Sequence, residues 1–250
     1  RNVLVTVKID QSDNNLVIGN EMLRARVLGF ISEFGTGPAT GNRIGGDLPG
    51  EGNVIVGSGF WNSNQGTPSG FAVELADSQG TIIRGNQIGL APNGIDQGSE
   101  NATTGIRFIN QNDDILIERN RIAGVYARFI YPSNPDLRMG YAIQLGGEGG
   151  NITIRENIIG LNVNGEPRGS IMGIDAGAVQ SGNHGNILIE DNVIAGHTST
   201  GAVVGRLETG VSLRRNLFFD NEIMAIDLVD SSGTFGPSAN DAHDADSGGN

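Results

Sequence analysis

One short pattern recurs five times in this chain, and it leaves few folds open. TIIRGNQIG (81–89), DILIERNRIAG (114–124), NITIRENIIG (151–160), NILIEDNVIAG (186–196) and VSLRRNLFFD (211–220) align on an internal asparagine: Asn86, Asn120, Asn157, Asn192 and Asn216. Three positions earlier stands Ile83, Ile117, Ile154, Ile189 or Leu213, and two positions later Ile88, Ile122, Ile159, Ile194 or Phe218. Apolar side chains at alternate positions, a polar corner, then another apolar position spell strand, turn, strand. Upstream lies a second kind of short strand that opens with glycine: GFAVEL (70–75), GIRFIN (105–110), GYAIQL (140–145), GAVVGR (201–206) and, more loosely, GIDAGAV (173–179). No segment sustains a 3.6-residue period with caps, so helices should be scarce.

The Asn-to-Asn intervals are 34, 37, 35 and 24. The shortest reads as a bare coil, and the others as that coil plus a polar, turn-rich insertion: LAPNGIDQGSENATT (90–104), YPSNPDL (131–137) and LNVNGEPRGS (161–170). Units with short strands that cannot bury an apolar face alone must stack on one another. Leucine-rich repeats need a leucine frame that is absent, and propeller blades need longer periods. The pattern therefore predicts an all-β, single-stranded right-handed parallel β-helix with coils of about 24 residues and loop insertions. Composition agrees. With 40 Gly, 5% aromatics and one Trp, the chain can fill a narrow Ile/Val/Leu/Ala core but not a wide one. We read one domain over 1–250, with N-terminal coils or a cap at 1–40, regular coils at 41–230 and an acidic tail at 231–250.

Stacked about 4.8 Å apart, the recurrent asparagines should bond one another as a structural ladder, each taking the left-handed corner conformation. Two positions before each stand Arg84, Glu118, Arg155, Glu190 and Arg214, whose alternating signs suggest an exposed charge ladder that fixes register. The next outward row, Ile82, Leu116, Thr153, Leu188 and Ser212, is partly apolar and suits cover by an insertion loop or a partner.

Charge and motifs exclude several functions. A net charge of −12 repels phosphate backbones and anionic lipid, so neither nucleic acid nor membrane insertion is expected. No run of 18 apolar residues exists. Zero cysteine excludes disulfide scaffolds and thiol chemistry. Arg1 is not preceded by a leader, which reads as a mature product or a fragment. His184, His197 and His243 show no metal-ligand spacing and read as turn residues.

At this point the chain resembles the right-handed parallel β-helix repeat proteins of bacterial surfaces and secretions, the pectate-lyase-like superfold. The resemblance rests on I-x-G-N-x-I-G (Ile83–Gly89), N-x-I-G-G and G-x-G-N-x-I (Asn42–Gly46, Gly50–Ile55), I-G-L-x-x-N-G (Ile88–Gly94, Ile159–Gly165) and the close of the chain at 225–250. It implies an extracellular or cell-surface location and further modules in a larger chain. Galacturonan hydrolases of this architecture carry Asn-Thr-Asp, Asp-Asp and His-Gly-Ser segments. Only Asp113-Asp114 is present here, before a strand where acids serve turns.

Two function classes remain. One is a non-catalytic structural or adhesion-type module that binds carbohydrate on its insertion-loop side. The other is a polysaccharide-active enzyme, a lyase or glycoside hydrolase, and the motifs lean away from it. The candidate glycan-contacting residues are Trp61, Tyr126, Arg128, Tyr131 and Arg138, in an aromatic-rich loop and its equivalent; the same rings can instead be buried under that loop. The insertions after Asn86, Asn120 and Asn157 follow equivalent strands and should project from one side. The tail offers Asp241, Asp244, Asp246 and Asn250 as oxygen donors for Ca2+, or is an ordinary solvated acidic segment.

Overall fold

The structure is a computed structural model and describes residues 7–9, 11–23, 31–33, 38–56, 60–62, 67–98, 103–131, 134–177, 182–205, 208–229 and 235–236. For 31–33, 60–62, 67–69, 127–131, 134–139 and 182 it describes the backbone alone. The described residues form strands, turns and bends, with no helix.

The chain winds as a parallel β-helix, right-handed in the sense that crossovers between parallel strands take. Three registers run its length. On one side Val17, Ile44, Ile83, Ile117, Ile154, Ile189 and Leu213 stack in parallel pairs. Across a corner, Met22, Ile55, Ile88, Ile122, Ile159, Ile194 and Phe218 stack in the same way. On the third side Val73, Ile106, Ile143, Ile174, Ala202 and Ile226 are in register. The isoleucines of all three sides meet in one narrow core, where most are fully buried.

The corner between the first two sides is held by asparagine. Asn20, Asn53, Asn86, Asn120, Asn157, Asn192 and Asn216 form one continuous column. Each Nδ2 donates to the next Oδ1 at 2.9–3.1 Å. Each backbone N–H donates to that same Oδ1 at 2.9–3.0 Å. The second Nδ2 proton goes to a strand carbonyl such as Ile83 or Ile117. The amide is thus saturated, which is what a buried amide requires. One detail differs from expectation. The left-handed residue is the one before the asparagine: Gly85, Arg119, Glu156, Asp191 and Arg215, with φ of 52–66°. The asparagine must stay extended for its N–H to reach the next coil, so its predecessor makes the bend.

The charged row is also corrected. Glu118 is fully buried rather than exposed, and its two oxygens are held by Arg84 and by Arg155 Nε (2.7 Å). Beyond that triplet the alternation fails. Glu190 pairs with Arg215 at 2.8 Å, and Arg214 turns to Ser212. The left-handed column carries its own pairs, Arg119–Glu156 and Arg215–Asp191, both at 2.7 Å. Ile82, Leu116, Thr153, Leu188 and Ser212 are half-buried.

Candidate functional site

Four long insertions leave at one corner, between the second and third sides. Those after Ile55, Ile88, Ile122 and Ile159 return at Phe71, Thr104, Tyr141 and Met172, whereas the later coils turn from Ala195 to Thr200 and from Phe219 to Met224 within a few residues. Two insertions contain antiparallel hairpins, Phe60–Asn62 with Thr67–Ser69 and Ala127–Tyr131 with Asn134–Met139. The other two touch: Val163 N–H donates to Gly94 O at 3.0 Å, across the intervening coil. Arg121 of that coil, its charge disfavoured by burial, donates to the carbonyls of Leu161 (3.1 Å) and Asn162 (2.6 Å). These insertions therefore form a wall along one flank.

Where the insertions return, the strands of the third side begin. Strand alternation turns Val73, Leu75, Ile106, Phe108, Ile143 and Ile174 into the core and the residues between them outward. The outward row reads Glu74, Arg107, Gln144, Asp175, Val203, Asp227, each in register with the next. Outward residues of a solenoid are normally solvated, yet Glu74, Gln144, Asp175 and Asp227 keep 8%, 4%, 0% and 4% exposure. They form the floor of a sheltered strip, and such polar groups need partners. Gln144 Nε2 donates to Asp175 (3.3 Å), Arg107 faces Glu74 (3.7 Å), and Gly236 N–H donates to Asp227 (2.9 Å). The row that begins each strand forms the rim: Phe71, Thr104, Tyr141, Met172, Thr200 and Met224. Phe71, Tyr141 and Met172 are half-buried. The Arg107 guanidinium lies 5.9 Å from the Phe71 ring centre. Burial, and then the charge of Asp175, holds the Tyr141 phenol above its ordinary value.

The sequence-predicted contacts fare unevenly. Tyr126 is corrected: at 3% exposure it is part of the buried interior beneath the insertions and presents no ring to a ligand. Its carbonyl accepts from Gln97 Nε2 at 2.5 Å. Trp61, Arg128, Tyr131 and Arg138 lie on the two hairpins, and their side chains are outside the described residues, as are Asp241, Asp244, Asp246 and Asn250. Among the described residues no three of His, Cys, Asp and Glu gather to hold a metal ion.

The histidines are corrected too. His184 and His197 are fully buried. His184 Nδ1 faces Glu208 Oε1 at 3.2 Å, and its backbone N–H donates to Glu208 Oε2 at 2.8 Å. His197 fills space left by two glycines: a Cβ on Gly160 or Gly173 would come within 2.8 or 2.9 Å of its Nε2. Asp114 is a left-handed corner residue whose carboxylate accepts from Asn151 at 3.0 Å, a structural use.

The floor row escaped the sequence because the strands align differently from their opening glycines. Val73 pairs with Ile106, so Gly105 lies opposite Ala72, two positions from where Gly70 would place it. Gly105, Gly173 and Gly201 occupy an inward column where a Cβ would meet Ile122, Ile194 and Phe218 at 2.7–2.8 Å. Counting outward from that column would have brought Glu74, Arg107, Gln144 and Asp175 together.

No protein-family model matches the chain, and no curated protein matches it. Among solved structures it is similar to the Dettilon tailspike protein (14% identity over 82% of this chain and 31% of that one, TM-score 0.37). It is also similar to a double mutant of the periplasmic alginate epimerase AlgG (14%, 89% and 59%, TM-score 0.34). A third is PfbA, a surface adhesin of Streptococcus pneumoniae (14%, 96% and 62%, TM-score 0.35). The chain thus spans less than two thirds of each of these chains, and similarity at this level bears on no activity.

Proposed function

We propose that this chain is an extracellular or cell-surface β-helix module that binds carbohydrate along the outer face of its third side. The carrying observation is the sheltered polar row Glu74–Arg107–Gln144–Asp175–Asp227 beside the half-buried rim Phe71–Tyr141–Met172. A rim ring offers a flat face for a pyranose, and Arg107, the half-buried member of the row, offers a hydroxyl partner beside it. A pyranose unit is about as long as the gap between neighbouring strands, about 4.8 Å, so successive sugars meet successive rungs. Three carboxylates face one arginine on that floor, and the arginine already faces Glu74 and Phe71. Neutral glycans are therefore favoured over polyuronates.

A second reading, hydrolysis, draws on Asp175 and Asp227. They share one row two strands apart, about 9.6 Å between backbones, just beyond the roughly 6.5–9.5 Å that separates carboxyls in inverting hydrolases. Binding of the purified chain to a panel of neutral and acidic glycans, followed by an assay for new reducing ends, tests both. Retention of a neutral glycan without cleavage supports the module, and cleavage abolished by Asp175→Asn supports the enzyme. Failure to retain any glycan contradicts both.

A further inference from the structure

The chain contains two Asn-Gly pairs, Asn93-Gly94 and Asn164-Gly165, in equivalent turns of the two insertions that touch. The turns share a backbone plan. Gly94 N–H donates to Ala91 O at 2.8 Å, and Gly165 N–H to Asn162 O at 3.1 Å. Their side chains do not share a plan. In the first turn Asn93 is itself the anchor. Its Oδ1 accepts from the N–H of Ile95 (3.0 Å) and Asp96 (3.2 Å), and its Nδ2 donates to Asp96 Oδ2 at 2.7 Å. In the second turn the anchor sits two residues earlier. Asn162 Oδ1 accepts from Asn164 N–H and Glu166 N–H, both at 2.9 Å, and its Nδ2 donates to Glu166 at 2.7 Å. Asn164 is left exposed, and its side-chain amide makes no hydrogen bond among the described residues. Gly165 has open space around it, whereas Gly94 is buried against Val163.

We propose that Asn164 is a site of spontaneous deamidation and that Asn93, with the same Asn-Gly sequence, is protected by its turn. The Gly165 backbone nitrogen, once hydroxide removes its proton, forms a bond to Asn164 Cγ. The Cγ–Nδ2 bond breaks, and ammonia leaves with a proton from water. A second water opens the resulting succinimide at either carbonyl, giving aspartate or isoaspartate. The net change is one amide and one water converted to one carboxylic acid and ammonia. At Asn93 the same reaction requires rotating an amide held by three hydrogen bonds, so its rate falls by at least about tenfold. The product matters locally. It places a new carboxylate, and in the isoaspartyl form a longer backbone, beside Val163, whose N–H joins the two insertions.

The test is peptide mapping by mass spectrometry, with enzymatic isoaspartyl labelling, after incubating the full chain in mildly alkaline buffer. Product should accumulate at 164 at least about tenfold faster than at 93. In urea the two rates should converge. Asp96→Ala should raise the rate at 93 without changing that at 164, and Gly165→Ala should suppress the reaction at 164. Equal rates in the folded chain, a difference that persists in urea, or a faster reaction at 93 would each overturn the proposal.

Discussion

The asparagine corner and the sheltered strip are built on the same stack of coils and obey opposite rules. At the corner one residue type repeats through seven coils, from Asn20 to Asn216, and each interior copy is saturated by its neighbours. On the third side the outward position reads Glu, Arg, Gln, Asp, Val, Asp, with no residue type shared by neighbouring strands. A position whose task is to hold coils together converges on the residue that bonds its own copy. A position that varies at every rung, is withdrawn from solvent and stands beside a wall of loops is not needed for stacking. Side-chain bonding between coils is thus concentrated at the corner, and the proposed carbohydrate binding assigns specificity to the strip.

That contrast is open to attack by mutation. The largest effect is expected from Glu118→Arg, which sets three guanidiniums together where a buried carboxylate bridged two. It should cost about 4 kcal/mol in denaturant unfolding. Asn157→Ala removes an amide that gives and receives two hydrogen bonds each in a fully buried site. It should cost about 3 kcal/mol, with a loss at either neighbouring coil visible by hydrogen exchange. A cost near zero for either would detach the corner from stability.

Arg215 gives a smaller, pH-dependent effect. Its hydrogen bond holds the Asp191 carboxyl below its ordinary value. The stability it contributes is complete above the ordinary carboxylate value of about 3.9. It is lost as pH falls through the lowered folded value. Arg215→Met should therefore flatten the acid limb of the stability curve by lowering stability slightly at neutral pH and leaving it unchanged at low pH. On the strip, Gln144→Ala removes a buried donor to Asp175 and should cost about 1 kcal/mol in denaturant unfolding, less than either corner change. Asp175→Asn should bring the Tyr141 phenol titration, followed by ultraviolet absorbance, down toward the usual tyrosine value, because the Asp175 charge helps to raise it. An unmoved titration would separate Tyr141 from Asp175.

Much of this architecture is legible in the chain because it rests on repetition. Ile83, Ile117, Ile154 and Ile189 announce the core, and Asn86 to Asn216 announce the corner. Of the ladder's first members, Asn53 is parted from Ile44 by GGDLPGEG (45–52), which breaks the apolar frame, whereas Asn20 keeps that frame in Val17 and Met22 but stands in an otherwise irregular stretch. The strip was not legible because its residues do not repeat and because Gly70 and Gly105 occupy different levels of the strand. The burial of Tyr126, His184 and His197 was equally hidden, since it depends on insertions and glycines from other coils.

The most direct measurement is calorimetric binding of whichever neutral oligosaccharide the chain retains, compared across Tyr141→Ala on the strip and Arg119→Ala on the charged corner. Tyr141→Ala should weaken binding about tenfold or more, the loss expected when a stacking ring is removed, while Arg119→Ala leaves affinity unchanged. Affinity lost with Arg119 and retained without Tyr141 would place the binding face on the corner and contradict the account.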